Sequence, residues 1–425
     1  MSAFSLPDWL RRRFDGDQAW CRTALACEPS LEGCAAALSQ QLAAAGPADL
    51  ALVFVSASFA SDLPRLLPLL RQRLRATHWL GCLAGGVIGT VPGQPPREVE
   101  QQPAISLTLL HLPGARLQPF AIDPGPLPDL DGPAEPWRRL LDAEADTETP
   151  SLLLLIDPGF NAINDLIAGL DYAWPQAAKL GGIAGPHSAP HGSLLLGDQV
   201  RSGAIGCLID GSWGLDPVVA QGCRPIGPVF EVEQAERNVV LELSRGGRRN
   251  TPVAALQAIL TELSPAEREL VKQSLFLGVG HSTFRLDREG STDPPPFLVR
   301  NLMGVDPRNG AVAVAERMRV GQQVQFQLRD GQASRQELAG LLERQRQRQP
   351  APLAGLLFAC LGRGAGLYGQ PDGDVSLCRE PFPELPIAGA FCNGEVGPVA
   401  GTTHLHGYTA SWAFLVPRPP AGAQD

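Results

Sequence analysis

Lysine is nearly missing from this chain: Lys179 and Lys272 are the only two, so 33 of its 35 basic residues are arginines. That scarcity argues against Schiff-base chemistry, and no Gly-Lys-Ser or Gly-Lys-Thr string supplies a P-loop. Long apolar runs are missing as well. Leu152–Ile156 is five residues and Leu356–Leu361 six, and no run exceeds six, far short of the roughly 18 residues of a membrane span. The N-terminal stretch has arginines but no apolar segment, and Asp8, Asp15 and Asp17 argue against a transit peptide. A net charge of −9 with dispersed arginines is not the footprint of a nucleic-acid binder. The expectation is a cytoplasmic protein with neither a membrane nor a nucleic-acid partner. Nine cysteines without paired spacing read as reduced thiols, and no CxxC, HExxH or GxSxG occurs.

What is present is a repeat. The 425 residues are enough for two or three domains. Leu52–Val55 reads as a buried strand, leucines 63, 66, 67, 70 and 74 as one helix face, and Leu80–Ile88 as a glycine-rich strand. Pro64 and Pro68 place the regular part of that helix late. The plan recurs as Leu152–Ile156, a helix over Ala162–Ala173 and Leu180–Gly185, and again as Leu356–Cys360, Pro386–Gly389 and Gly394–Val396. Further strands should follow each copy and end at Ala104–Leu110, Gly203–Ile209 and Ser411–Val416. Recurrent glycines in strands point to close backbone packing more than to ligand contact. An amphipathic helix is expected over Ser30–Ala45, and a surface connection over the proline- and acid-rich residues 112–150. Ser264–Glu267 and Ser334–Glu337 have the form of capping boxes, and strands are expected at Val239–Leu243, Leu275–Val279, Phe297–Met303, Ala311–Ala315 and Val324–Leu328.

Three chemistries compete for the polar residues. Cys360 and Cys392 with His404 and His406 have the makings of a thiol–imidazole site, and the Gly362-Arg363-Gly364 turn offers a guanidinium to lower a thiol pKa. The bland alternative is a cysteine that packs as a small apolar residue. His404 with His406, and His187 with His191, have metal-compatible spacing, but no carboxylate motif completes either pair. Arg363, Glu395 and Tyr408 stand in glycine-dense turns. An arginine fork with a glutamate suits a zwitterion such as an amino acid, while an internal Arg–Glu pair needs no ligand.

The strings CLGRG, GEVGPV and LHGYT, after GCLAGGVIG and GGIAG, resemble the FIST family, with its N- and C-terminal domains in tandem over roughly residues 35–417. The resemblance implies a sensory or scaffolding module of intracellular signalling that takes a small ligand, amino acids among the proposed ones, or recruits a protein partner as F-box-linked members do. Mapped onto this chain, its motif positions are Cys360, Arg363, Gly364, Gly389, Gly394, Glu395, His406, Gly407 and Tyr408, with Gly81, Cys82, Gly86 and Gly182 in the N-terminal half. Val87 stands where many members carry a glutamate.

The expected fold is α/β. Duplicated strand–helix–strand–strand–strand units form mixed sheets with helices outside, in a four-layer helix–sheet–sheet–helix sandwich. Expected divisions are an extension over 1–30, an N-terminal domain over 31–248, a C-terminal domain over 249–417 and a disordered tail over 418–425. The expected function is a stand-alone small-molecule sensor without a cofactor, a protein-interaction adaptor being the runner-up and a cysteine-dependent hydrolase or transferase the third reading. Candidate ligand contacts are Arg363, Gly364, Glu395, His406, Tyr408, Cys360, Cys392, Gly394, Cys82, Gly86 and Gly182.

Overall fold

A computed structural model describes residues 18–143, 149–280, 297–349 and 351–418. The expected tail beyond 418 and most of the 1–30 extension lie outside these. The repeat is the fold. Each copy has an edge strand, an outer helix, a first strand, a second helix, a glycine strand, a hairpin and a last strand. In the first copy these include Trp20–Ala26, Leu31–Gln41, Ala48–Ser56, Leu63–Arg71, Ala76–Ala84, the hairpin Gly86–Thr90/Pro96–Glu100 and Ile105–His111. The second runs from Ala115–Ile122 to Ala204–Gly211, the third from Trp213–Ala220 to Ala410–Pro417.

No copy keeps its own hairpin. Gly86–Thr90 pairs with the third copy's glycine strand Ile387–Cys392. Leu194–Leu196 pairs with the first copy's Ala76–Ala84. Glu395–Val399 pairs with the second copy's Lys179–Ile183. The exchange is cyclic, giving three six-stranded sheets. It is closed by three equivalent backbone hydrogen bonds: Gly85 N–H to Phe391 O (3.0 Å), Gly185 N–H to Leu83 O (2.9 Å) and Asn393 N–H to Ile183 O (3.0 Å). Each copy donates from two residues beyond the point at which it accepts.

The glycines make this approach possible. In the parallel pairs, Gly81 lies opposite Val53, Gly181 opposite Leu154 and Gly389 opposite Leu357. A Cβ at these positions would lie 2.1, 1.7 and 1.9 Å from the facing carbonyl oxygen. Gly181 and Gly389 also sit at φ +150° and +155°, where L-residues are strained.

All three sheets turn their inner faces to one shared core, including Phe54, Cys82, Leu155, Cys207, Phe358 and Cys392. Each outer face carries its own helices and its own apolar cluster. The mixed α/β layering is therefore as expected: any two neighbouring sheets with their helices make a helix–sheet–sheet–helix stack, and a third sheet closes the triangle.

Between the third copy's edge strand and its outer helix Gly331–Arg348 lies an insertion. Six antiparallel strands, Phe230–Glu236, Val239–Arg245, Leu275–Gly280, Phe297–Val305, Val312–Val314 and Gln323–Arg329, pair in a closed ring around Val232, Val279, Val324 and Phe326. The expected division at 248/249 falls inside this barrel, whose strands lie on both sides of it.

Three local expectations change. Residues 112–150 hold a strand, Ala115–Ile122, and a helix, Glu135–Leu140; Pro119 is tolerated because that strand is a sheet edge. Trp20–Ala26, inside the expected extension, is the first sheet's edge strand. Ser264–Glu267 is a capping box, but Ser334 is not a cap. Asp330 caps that helix, accepting from Gln332 and Ala333, and Ser334 is buried.

Gly389→Ala should destabilise the protein by about 3 kcal/mol or more, from overpacking plus backbone strain. Urea unfolding measures this, and Gly401→Ala, whose added Cβ would have nothing within 4 Å, isolates the cost of positive φ alone.

Candidate functional site

The exchange places the end of the third copy's first strand, Cys360, beside the start of its hairpin, Glu395, and the start of its last strand, Thr409. Cys360 N–H donates to Thr409 O (3.0 Å), as Asp157 N–H does to Gly203 O (2.8 Å) and Ser56 N–H to Ala104 O (2.9 Å) in the other copies. The register makes Glu395 equivalent to Leu194 and Val87, each facing the matching position of a glycine strand. Two copies fill the position with buried aliphatic side chains and the third with a fully buried carboxyl. Its Oε2 accepts from Thr409 N–H at 3.1 Å, and the Cys360 thiol is its side-chain hydrogen-bonding neighbour. Burial pushes this carboxyl well above the usual range, against the Thr409 N–H, the Arg363 charge and the neighbouring Cys360 thiol.

Arg363 does not pair with Glu395. Its fork closes on Asp374, Nε to Oδ2 at 2.8 Å and Nη2 to Oδ1 at 2.6 Å, with both side chains fully buried. Nη2 also donates to Ser334 Oγ (3.0 Å) and Tyr368 OH (2.6 Å), and Nη1 to Tyr408 O (3.2 Å). The expected Arg–Glu clamp is thus an Arg–Asp pair, and each of the three guanidinium nitrogens donates within the protein. Gly222, at φ +69°, makes room: its Cβ would stand 2.8 Å from Nη1. Glu98, from the first copy's hairpin, accepts from Asp374 N–H (2.8 Å) and Val375 N–H (2.9 Å). Burial and then the Asp374 charge push Glu98 up to about 8, against those two N–H donors.

The thiols are not activated. Burial and then Glu395 push Cys360 up to about 11, outweighing the one guanidinium that lowers it, Arg329; Arg363, expected in that role, is turned to Asp374 instead. Cys392 is pushed further up by burial, Cys82, Glu395 and Cys360. Cys82, Gly86, Gly182 and Cys392 lie at the sheet junction, where a Cβ on Gly182 would meet Cys392 Sγ at 2.5 Å. Gly364, at φ +58°, packs on the Glu100 carboxylate, which accepts from Ala365 N–H at 2.9 Å. Gly394 accepts from Ile183 N–H at 2.8 Å. His406 is buried, which lowers its pKa to about 4, and donates from Nε2 to Gly397 O at 2.9 Å. His404 and His406 have ring centroids 6.0 Å apart, and His187 and His191 6.4 Å. Among the described residues no three His, Cys, Asp or Glu side chains converge as metal ligands.

Beside this cluster a cleft of about 810 Å³ separates the second sheet from the barrel. One wall is Asn393 with Thr402–Gly407 and the helix Ile163–Ala173; the other is Val299–Asn301 with Ala315–Arg317. Arg300 is pinned by Glu316 and by Leu405 O (3.2 Å). Asp171 holds Lys179 (2.8 Å) and Thr403. Arg317 and Asn393 are exposed on its two sides.

Comparison with known proteins now decides the family: profiles of the FIST N domain and the FIST C domain match residues 49–245 and 254–398. The chain belongs to the FIST family. An uncharacterized protein of Mycobacterium tuberculosis (strain H37Rv) is 34% identical over 385 residues, 90% of this chain and 95% of its own. An uncharacterized Mycobacterium bovis protein is 33% identical over 399 residues, 93% of this chain and 97% of its own. An F-box/LRR-repeat protein of Arabidopsis thaliana is 43% identical over 49 residues, 12% of this chain and 9% of its own. Tandem FIST domains point to a sensory module of signal transduction. Among the described residues no helix is long and apolar enough to cross a membrane.

Asp374, Glu98 and Tyr368 have no role in the site expected for this FIST chain, and Ser334 is expected only as a helix cap. Only Tyr368, in the stretch following CLGRG, had a signal to follow, as one of three tyrosines in the chain.

Asp374→Asn strands a buried guanidinium and should cost about 3–5 kcal/mol in denaturant unfolding. Glu98→Gln keeps the acceptor and removes the titration. Glu98 binds its proton more tightly folded than unfolded, so wild-type stability should fall as pH rises from 4.5 towards 8, by up to about 1.4 kcal/mol per unit. Unfolding midpoints at pH 7 and 8 should show the decline in wild type and a shallower one in Glu98→Gln.

Proposed function

We propose that this FIST protein is a sensory module that binds a small polar metabolite, an amino acid being the first choice, in the cleft between the second sheet and the barrel. The observation that carries this reading is the cleft's composition. One wall is the Thr402–Gly407 segment of the third copy and the other is barrel, with Arg317 and Asn393 presented to the space between them. The groups expected to hold a zwitterion directly are otherwise engaged: Arg363 by Asp374, and Glu395, fully buried, by Thr409 N–H. Arg317 supplies a cation for a carboxylate and Asn393 a neutral amide; Glu316 and Asp171 also line the cleft but are held by Arg300 and by Lys179. A cleft of this size lies within the usual range of about 300–1,000 Å³ for small-molecule sites.

A thermal-shift screen of amino acids and small carboxylic acids tests this. A ligand at 100 times its Kd stabilises the fold by about 2.7 kcal/mol. Arg317→Ala should abolish the shift while the free protein melts as wild type, because this exposed side chain carries no hydrogen bond or ion pair within the described fold. A flat screen across the pool, or a shift that survives Arg317→Ala, removes the cleft reading.

A further inference from the structure

The barrel is a separate body. Its apolar cluster, with Val232, Val279 and Phe326, shares no residue with the clusters of the three sheets. It meets the rest of the protein largely through polar and ring contacts, the kind of interface across which units move. Gln221 holds one strand by its side-chain amide, accepting from Val299 N–H (2.9 Å) and donating to Phe297 O (2.8 Å). Arg300 reaches Leu405 O.

Arg329 donates from Nη2 to Gly362 O, and the ring contacts gather on one side chain. The Tyr408 ring is met edge-on by Phe276, centroids 4.7 Å apart, and Arg329 stacks over it with Cζ 4.7 Å from the centroid. Phe276 and Arg329 are barrel residues; Tyr408 belongs to the third copy. Its backbone lies at φ +67°, a region rarely occupied by tyrosine. Its carbonyl takes Arg363, and the next N–H holds Glu395. Two residues earlier, His406 lines the cleft. Tyr408 therefore touches the barrel with its ring and the buried charges with its backbone, beside the proposed ligand.

We infer that the barrel is a movable cover over the Cys360–Glu395 end of the third copy, hinged at its two connections near Gln221–Arg224 and Arg329–Asp330 and latched by Tyr408, so that occupancy of the cleft is read out as barrel position. This rests on the cleft being the ligand site. It names the moving part that a sensor needs.

Thiol labelling with iodoacetamide, resolved by peptide mass mapping, tests the latch on ligand-free protein. Cys360 lies near the latch and Cys223 at the hinge. Cys27 is exposed and serves as the rate reference, while Cys82 and Cys207 report the shared core. Tyr408→Ala should raise labelling of Cys360 and Cys223 about tenfold through local opening, with Cys27 unchanged and Cys82 and Cys207 still protected. Tyr408→Phe should keep wild-type rates. Phe276→Ala, which removes the barrel's half of the contact, should reproduce Tyr408→Ala and stands in if that variant does not fold. Unchanged Cys360 labelling in folded variants overturns the latch, as does a parallel rise at Cys82 and Cys207. Adding the amino-acid pool to wild type should change the Cys360 rate. A thermal shift without such a change overturns the read-out but leaves the cleft, whereas a flat screen removes the cleft reading and the read-out with it and leaves the latch to be judged on the labelling alone.

Discussion

Three strands must bring bare backbone together at one place, and the rest of the molecule follows from that. A hairpin given to a neighbouring sheet completes that sheet only if the glycine strand it joins lets the chain turn out of its own copy. Gly85, Gly185 and Asn393 make that turn and donate to the next copy. Exchange of identical elements around a closed cycle is how symmetric oligomers hold together. Here one chain supplies all three members, so the cycle closes without a subunit encounter. Each donated hairpin also covers a sheet edge that would otherwise remain open.

Equivalent positions in the three copies are an internal control on what is structural. Ser56, Asp157 and Cys360 occupy one place, and Val87, Leu194 and Glu395 another. Asp157 answers local backbone needs, accepting from Ser193 N–H (2.9 Å) and Gly159 N–H (2.9 Å). Glu395 answers one such need, the Thr409 N–H (3.1 Å). A buried carboxyl still carries a desolvation cost where its two aliphatic counterparts gain stability by burial. The same copy holds Arg363 against Asp374 and carries the barrel. Departures from the symmetric plan thus gather in one third of the molecule.

Much of the architecture is legible in the sequence because the glycine recurrence has a steric cause. Gly81, Gly181 and Gly389 lie against carbonyls that allow no side chain, and the buried strands beside them are unbroken apolar runs. The edge strands are not legible. Trp20–Ala26 and Ala115–Ile122 have one partner each, so solvent relaxes their alternation, and Pro119 disguises the second. Nor does hairpin exchange leave a local signal, since a donated strand has the same pattern as a retained one. At the site, Arg363 and Glu395 stand out by their glycine-rich surroundings. Asp374 does not, because it lies in a short helix whose sequence, GDVSLCR, reads as surface.

That miss changes the chemistry. An arginine read without its partner looks available to a ligand; with Asp374, Tyr368 and Ser334 in place it becomes the rigid floor on which the Tyr408 turn rests. On the proposed reading, ligand recognition moves outward to groups that remain open, Arg317 and Asn393, and the buried charges fix the backbone that forms the cleft wall facing the barrel. The proposed sensor needs both a rigid floor and a polar, detachable cover: without the first, a bound metabolite would be absorbed as local slack, and without the second it would move nothing. The cyclic exchange supplies the floor because loosening the third copy would also disturb the sheets into which its hairpin and the first copy's are woven.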